Sequence, residues 1–349
     1  MERPIADPLD PKLHSLLEES QRIYLQHFDN SCSFERAIFI SWYCSKADCK
    51  FCYMSTQKGK IKNVPLGLAK RRPESLITEA LLCRELGWNI EFLSGGYDAY
   101  TSDELVDLIK KIAAAYGKKL WLNIGILTDS QMDRVQPYVE GICGSLETLN
   151  PVLHDEMCPS KPLGPLIGLL ERARKKGFKT GITLIVGLGE TIDDFALLES
   201  FAQTHPIDRV TFYRLNPHPG TPFTAGPSTA YYSEWIARTR IAFPHLEIIA
   251  GSWVDKIEEI HLLLRAGANH ITKFPSTGLF NTSFARRIET EIQQAGRIFH
   301  GTLTVLPAKD WDAIARDLDP ALFDEKLKKK ILLKVQSYLD MMRSNAADS

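Results

Sequence analysis

The feature that most constrains the fold is a regular alternation of two kinds of segment. From residue 36 onward, eight short apolar runs alternate with longer amphipathic stretches. Short apolar runs are typical of buried strands, and apolar residues spaced three and four apart are typical of helices. The predicted strands are 37–43, 89–94, 119–125, 141–147, 180–187, 209–215, 246–251 and 270–274. The predicted helices are 73–87, 102–116, 129–138, 163–176, 192–204, 229–242, 256–266 and 281–295.

This alternation predicts an α/β fold with a parallel sheet, because parallel neighbours need a long crossover that is usually a helix. Eight units can close into a (β/α)8 TIM barrel of roughly 250 residues, and closure removes both exposed sheet edges. Several predicted helices end at a glycine, where a left-handed cap is expected: Gly87, Gly117, Gly177, Gly267 and Gly296. We therefore predict a complete barrel. A doubly wound open sheet is the alternative that alternation leaves open.

The 349 residues divide into three predicted parts. Residues 1–35 form an N-terminal helical extension with a helix at 10–29, and residues 36–300 form the barrel. Residues 301–349 form a C-terminal helical extension with a basic helix at 327–344. The length also allows two smaller domains.

Composition excludes some classes of partner. With 42 basic and 43 acidic residues, the net charge of −1 gives no global field that attracts nucleic acid or an anionic membrane. No apolar run has the length of a signal peptide core or of a membrane span, so we expect a cytoplasmic protein without a membrane partner. Seven cysteines, an odd number, favour metal or redox chemistry over a disulfide framework.

Three of the cysteines, Cys44, Cys49 and Cys52, follow the first predicted strand. They lie in the loop at its carboxyl end, where the active sites of TIM barrels are found. Three thiolates in nine residues are enough for three corners of an iron–sulfur cubane, which leaves one iron open to another ligand. The alternative is a structural zinc site, which needs a fourth ligand such as His154 or Cys158.

The spacing C-x4-C-x2-C, with Phe51 just before the last cysteine, resembles the signature of the radical S-adenosylmethionine (SAM) superfamily. The commonest form of that signature has one residue fewer in the first gap. The resemblance implies a 4Fe-4S cluster on the three cysteines whose open iron chelates the amino and carboxylate groups of SAM. It also implies reductive cleavage of SAM to a 5′-deoxyadenosyl radical, with an external electron donor and with Tyr53 near the adenine.

Two further motifs resemble parts of the SAM site in this superfamily. After the second strand, Ser94, Gly95 and Gly96 resemble the glycine-rich motif whose backbone carbonyls receive the SAM amino group. An ordinary turn is the alternative interpretation. After the fourth strand, Glu147 and Asn150 resemble the biotin synthase group and the hydrogenase-maturation enzymes, in which the acidic residue contacts SAM.

The same group usually carries an arginine that pairs with the SAM carboxylate. The matching stretch here, GPLIG, contains none, and Lys161 and Arg172 are the substitutes considered. Neither matches the motif, so the partner stays open.

After the fifth strand, TLIVGLGET resembles the G-x-I-x-G-x-x-E element, with Ile185, Gly187 and Glu190 retained. The resemblance places the isoleucine near adenine. After the sixth strand, Asn216 and His218 lie in a segment that resembles a loop closing over adenosine.

The remaining cysteines bear on the reaction. If Glu147 points inward, the two-residue period of a strand also points Ser145 and Cys143 inward. Cys158 is predicted in a loop at the catalytic rim, and Glu147 and Cys158 are the predicted catalytic residues. A second iron–sulfur cluster stays open, although the stretches WLNIG and TGITL lack the cysteines of a biotin-synthase type. Cys32 and Cys83 are expected to be small buried hydrophobes.

We therefore expect a radical SAM enzyme that acts on a small molecule or a protein-bound cofactor precursor. Sulfur insertion in lipoyl- or biotin-type cofactor biosynthesis is the favoured reaction, with archaeal-type lipoyl synthase as the model. Maturation of a hydrogenase metal cofactor is the alternative reaction. Alternatives of another class are a non-catalytic zinc-stabilised β/α binding protein and a scaffold that binds a cluster without turnover.

Overall fold

A computed structural model describes residues 11–57 and 66–345, and its centre is a closed barrel of eight parallel strands. Each strand pairs with the next along the chain, and β1 pairs with both β2 and β8, which closes the barrel. The predicted TIM barrel is confirmed, and the open sheet is excluded. The strands are β1 Ser31–Phe39, β2 Asn89–Ser94, β3 Leu120–Asn123, β4 Val139–Glu147, β5 Lys179–Val186, β6 Arg209–Arg214, β7 Glu247–Gly251 and β8 His270–Thr272.

Helices connect the strands and cover the barrel. They are α1 Pro11–His27, α2 Tyr53–Thr56, α3 Leu66–Ala69, α4 Pro73–Leu86, α5 Ser102–Tyr116, α6 Asp129–Val135, α7 Pro151–Met157, α8 Leu163–Lys175, α9 Phe195–Thr204, α10 Thr229–Ala242, α11 Ile260–Arg265, α12 Ser283–Gln294, α13 Trp311–Arg316 and α14 Glu325–Ser344. Short 3₁₀ turns at Ile192–Asp194 and Val254–Glu259 precede α9 and α11. All five predicted glycine caps have left-handed φ, between 72° and 95°. The short helices α2, α3, α7 and α13 were not predicted, because one or two turns show no clear period.

The main core lies between the barrel and its helices, as strand β4 shows. Ile142 and Leu146 are buried against Leu170 of α8, on the outer face of the strand. The alternate residues point into the barrel, where Cys143 contacts Phe92 and Trp121. Burying one such aliphatic side chain contributes about 1.5–3 kcal/mol to folding, so this outer layer fixes which side chains face inward.

Strand β1 is the main departure from the prediction. The strand predicted at 37–43 lies at Ser31–Phe39, so it begins inside the predicted N-terminal extension, and Trp42 is exposed. Residues 31–33 pair with an unpredicted ninth strand, β9 Ile298–His300. Ser31 and Ser33 interrupt any apolar run, so the sequence pattern does not predict a strand here. The pairing depends on the tertiary contact with β9.

The terminal helices pack on the barrel's helical layer. Helix α1 packs against α10, and α14 packs against α4, where the hydroxyl of Tyr338 donates to Glu79 Oε1 over 3.1 Å. No helix among the described residues is both long and apolar enough to cross a membrane. Residues 1–10 and 346–349 of the predicted extensions lie outside the described residues, and the domain boundaries stay a prediction.

Candidate functional site

The carboxyl ends of the barrel strands open into one cavity of about 320 Å³. The cysteine loop between β1 and α2 forms part of its wall. The structure brings most of the predicted site residues to this cavity: Cys44, Cys49, Phe51, Cys52, Tyr53, Ser94, Gly95, Gly96, Cys143, Ser145, Glu147, Lys161, Thr183, Ile185, Asn216 and His218. Cys143, Ser145 and Glu147 all line it, as the two-residue period of β4 predicts.

The cysteine loop is held by its own backbone. The N–H of Cys52 donates to the carbonyl of Cys49 over 3.0 Å, and the N–H of Ala47 donates to Cys44 Sγ over 3.5 Å. The chain turns at Ala47, whose φ of 43° lies in the left-handed region. The first gap of four residues is therefore accommodated by a local turn within the loop.

The spacing of the three thiols does not suit a single zinc ion bound by all of them. Ligand sulfurs on one zinc lie within about 3.8 Å of each other, given Zn–S distances of about 2.3 Å. Among the described residues, Cys44, Cys49 and Cys52 do not form a group whose sulfurs all lie within 4.8 Å of one another. Three thiolates can instead bind three irons of a 4Fe-4S cluster and leave the fourth iron open.

His154, the first candidate for a fourth zinc ligand, is fully buried. Its Nδ1 contacts the carbonyl oxygen of Leu146 at 2.8 Å, and its Nε2 contacts that of Lys161 at 2.6 Å. Both ring nitrogens are occupied, so His154 organises the turn after α7 and does not close a metal site.

Gly96 allows the β2 loop to pack directly on the cysteine loop. A Cβ at this position would lie 2.1 Å from the carbonyl oxygen of Tyr43 and 2.4 Å from Cys44 Cβ. Both distances are far inside van der Waals contact. The glycine therefore places the backbone of the predicted SAM amino site against the first cluster ligand.

Glu147 ends β4 in a left-handed conformation, with a φ of 63°. Its Oε1 accepts a hydrogen bond from Lys161 Nζ over 2.7 Å, and the two side chains are only 11% and 8% exposed. Burial lowers the pKa of Lys161, but the negative charges around it, Glu147 first, raise the pKa well above its usual value. The cavity wall therefore presents a carboxylate and an ammonium side by side.

Arg172, the other substitute considered for the SAM carboxylate, lies away from the cavity. Its guanidinium on α8 donates to the carbonyl of Leu127 and to Asp129, over 3.0 and 3.1 Å. Lys161 is thus the predicted cation that the fold brings to Glu147.

Two predicted cofactor residues support the site from outside the cavity lining. Asn150 caps α7, accepting from the N–H of Leu153 over 3.2 Å, and its amide donates to Asp194 over 3.0 Å. Gly187, with a φ of 109°, lies in a turn held by Glu190, whose carboxylate accepts the N–H groups of residues 187, 188 and 189. Their predicted contacts with SAM stay a prediction.

Cys158 begins the loop 158–162, as predicted, and Lys161 of this loop lines the cavity, but the Cys158 thiol itself is buried. It forms the C-cap of α7, is 1% exposed, and packs with Leu188 and Leu215 behind Cys49. The Cys158 thiol lies beside Cys49, and this contact lowers the pKa of Cys49. A direct catalytic role for Cys158 stays a prediction.

The other cysteines are buried, and burial raises the pKa of each of these thiols to about 12. Cys32 and Cys83 belong to the main core, as expected of small hydrophobes. Cys143 differs because it faces the cavity.

Sequence reasoning missed three charged residues of the cavity, Lys46, Arg214 and Lys273, and also the aromatic residues around Lys273, which are Phe39, Tyr213 and Trp253. A signal was present, because a lysine near the carboxyl end of a predicted barrel strand, HITKF, stands where functional residues of this fold are found. The predicted strand 270–274 includes this lysine, so its side chain is not distinguished from the other strand residues.

Two family models match the chain. The Radical SAM superfamily model matches residues 40–202, and the Biotin and Thiamin Synthesis associated domain matches residues 211–298. Together they cover the cysteine loop, most of the barrel and Lys273. The superfamily implies a 4Fe-4S cluster and SAM, and the cysteine loop described above fits the cluster.

Similar proteins agree with these models. An uncharacterized protein of Methanocaldococcus jannaschii is 41% identical over 84% of this chain and 82% of its own length. The [FeFe] hydrogenase maturase subunit HydE of Thermotoga maritima is 28% identical over 74% of each chain. Biotin synthase of Alkalilimnicola ehrlichii is 26% identical over 74% of this chain and 80% of its own. The chain therefore belongs to the radical SAM superfamily, in the group that contains biotin synthase and the hydrogenase maturase HydE.

Proposed function

We propose that this enzyme abstracts hydrogen from a small substrate enclosed in the barrel. When bound, the cluster and SAM supply the 5′-deoxyadenosyl radical. The observation that carries the proposal is the single cavity that joins the three cysteines, the Gly95–Gly96 turn and Glu147. An external electron donor is part of the proposal, because reductive cleavage consumes an electron.

The Glu147–Lys161 pair suits the amino-acid end of SAM. A carboxylate attracts the ammonium of a zwitterion, and an adjacent ammonium attracts its carboxylate. We assign Glu147 to the first role and Lys161 to the second, which takes the place of the arginine usual in this group. Both side chains already lie within a hydrogen bond of each other, so the site is ordered before SAM binds.

The rest of the cavity wall suits radical chemistry. Phe39, Phe92, Tyr213 and Trp253 line it beside the polar residues. Apolar walls around a small enclosed volume exclude water and competing reactants from a reactive intermediate. We therefore propose a small-molecule substrate, or one small group of a larger precursor, as the species that enters.

The test is anaerobic reconstitution followed by incubation with SAM and dithionite. We expect about four irons per chain and formation of 5′-deoxyadenosine. Replacing Cys44, Cys49 and Cys52 together with alanine should abolish the product. A reconstituted wild-type sample that binds four irons yet forms no deoxyadenosine contradicts the proposal and leaves a cluster-binding scaffold. One zinc and no iron in the purified protein also contradicts it.

The more specific proposal is sulfur insertion in lipoyl- or biotin-type cofactor biosynthesis. It is supported by Cys143, a thiol beyond the cluster motif that faces the cavity. A sulfur-donating second cluster predicts that iron or sulfide remains in the triple alanine variant. It also predicts that this remainder disappears when Cys143→Ala is added. No residual iron counts against it and favours the maturation reaction named for the relative HydE.

A further inference from the structure

Lys273 stands at the cavity in an unusual backbone conformation. It follows directly on β8, and its φ of 76° lies in the left-handed region. A residue with a side chain occupies this region at a cost in free energy, and such strain concentrates at functional sites. Glu147, at the end of the opposite strand β4, is the other non-glycine residue of the described cavity lining with this conformation. The backbone therefore turns to aim two charged side chains at one cavity.

The Lys273 ammonium is surrounded by aromatic rings. Its Nζ lies 4.2 Å from the ring centroid of Tyr213, 5.6 Å from that of Phe39 and 5.7 Å from that of Trp253. Ring faces attract a cation but accept no strong hydrogen bond. Burial lowers the pKa of Lys273, against the opposing effect of Glu91 and Glu147.

The carboxylates nearest to Lys273 already have other partners. Glu91 accepts from the hydroxyls of Tyr213 and Thr272 over 2.5 and 2.6 Å. Glu147 accepts from Lys161. Within residues 11–57 and 66–345, Lys273 Nζ has no ion-pair or hydrogen-bond acceptor, whereas the cavity cations Lys161 and Arg214 are each paired with a glutamate.

An ammonium carries three hydrogen-bond donors, and Lys273 is half-buried at the cavity, so an acceptor on a ligand in the cavity can satisfy them. A single ammonium suits a singly charged carboxylate, because phosphate sites gather several donors or a helix N-terminus. Lys46, which also lines the cavity, stands over Tyr97 at 5.8 Å, on the cysteine-loop side.

We propose that Lys273 binds the carboxylate of the substrate, an inference that rests on the proposed hydrogen abstraction. The substrate is then an organic acid whose anionic end is fixed at β8. The amino-acid end of SAM is held on the other side of the barrel, at Glu147 and Lys161. A substrate held at one end presents one particular carbon atom to the radical. The distance from the carboxylate to that carbon then determines which hydrogen is abstracted.

Calorimetry on the reconstituted enzyme with saturating SAM tests this proposal. The probes are butyrate, hexanoate and octanoate, each compared with the amide of the same length and with the corresponding alkyl phosphate. We expect the best-fitting carboxylate to bind wild type about tenfold or more tightly than its amide, the range of one charge-assisted hydrogen bond. Lys273→Met should remove this preference, and Lys273→Arg should restore part of it. Lys179→Met, which changes a surface lysine paired with Glu140 outside the cavity lining, is the matched control and should keep the wild-type preference.

Three results would overturn the proposal: no carboxylate preference in wild type, an equal preference in Lys273→Met, or a stronger preference for the phosphate. Weaker binding of SAM itself by Lys273→Met would place the lysine in the SAM site and also refute it. Melting temperatures of the variants separate loss of binding from loss of folding. Deoxyadenosine formation by wild type reports separately on the proposed function.

Discussion

Lys161 Nζ lies 2.7 Å from Glu147 Oε1 in the wall of the barrel cavity. The two residues come from the loop after α7 and from the end of β4, and both are nearly buried. Removing one member of a buried pair leaves an uncompensated charge, which costs about 3 kcal/mol or more. The pair is therefore open to a test that separates stability from SAM binding.

We predict that Glu147→Gln and Lys161→Met each lower the free energy of unfolding by about 3 kcal/mol. The double variant should recover much of that loss, because no unpaired charge remains. SAM affinity should not recover in the double variant. Urea unfolding and SAM titration measure the two effects, and full recovery of SAM binding in the double variant would refute the assignment of this pair to SAM.

Gly96→Ala should disrupt the cluster site. The added Cβ would overlap the Tyr43 carbonyl and Cys44 Cβ, so the cysteine loop must move. We expect a loss of about 1–3 kcal/mol in stability and a reduced iron content after reconstitution. Gly164→Ala is the matched control. Gly164 lies in α8, and a Cβ added there would contact no atom within 4 Å. Equal iron content in both variants would contradict the packing argument.

Cys158→Ala should keep the cluster but change its reduction potential. The Cys158 thiol lies beside Cys49 and lowers the pKa of Cys49, and a polar group beside a cluster sulfur raises the potential. We expect normal iron content and a more negative midpoint potential in a redox titration followed by electron paramagnetic resonance. Cys49→Ala is the comparison and should lose iron. Iron loss in Cys158→Ala would show that Cys158 is itself needed to hold the cluster.

The buried cluster of Glu79, Arg36 and Arg71 predicts an acid-sensitive contribution to folding. Burial raises the pKa of Glu79, but the two arginines lower it further, to about 2. Because the folded pKa lies below the unfolded one, the stabilisation is present above about pH 5 and disappears as the pH falls towards 2. It amounts to about 3 kcal/mol at neutral pH.

Glu79→Gln should therefore be less stable than wild type at pH 7, with the difference shrinking as the pH falls from 5 to 2. Urea unfolding of the metal-free protein at several pH values measures this. Asp107→Asn, which breaks the surface pair with Lys111, is the control and should change stability by less than about 0.5 kcal/mol. A pH-independent difference for Glu79→Gln would contradict the pKa argument.

The sequence by itself determined the barrel and the position of the three clustered cysteines at its mouth. Strand and helix periods are local properties, and eight alternating units end their strands at the same face. This places the cysteine loop, Gly96 and Glu147 around one cavity without knowledge of any tertiary contact. The inward direction of Cys143 also followed from the two-residue period of β4.

Only the tertiary structure decided the partners of these residues. The Glu147–Lys161 pair depends on how the chain after α7 folds back over His154, and Cys158 is buried against Leu188 and Leu215 from other parts of the chain. The β1–β9 pairing joins segments more than 260 residues apart. Lys273 is visible in the sequence as one lysine at the end of a strand. The sequence does not show that the Lys273 ammonium has no acceptor within the described residues. Its neighbours come from several strands and loops of the closed barrel, and no single segment of the sequence reveals them.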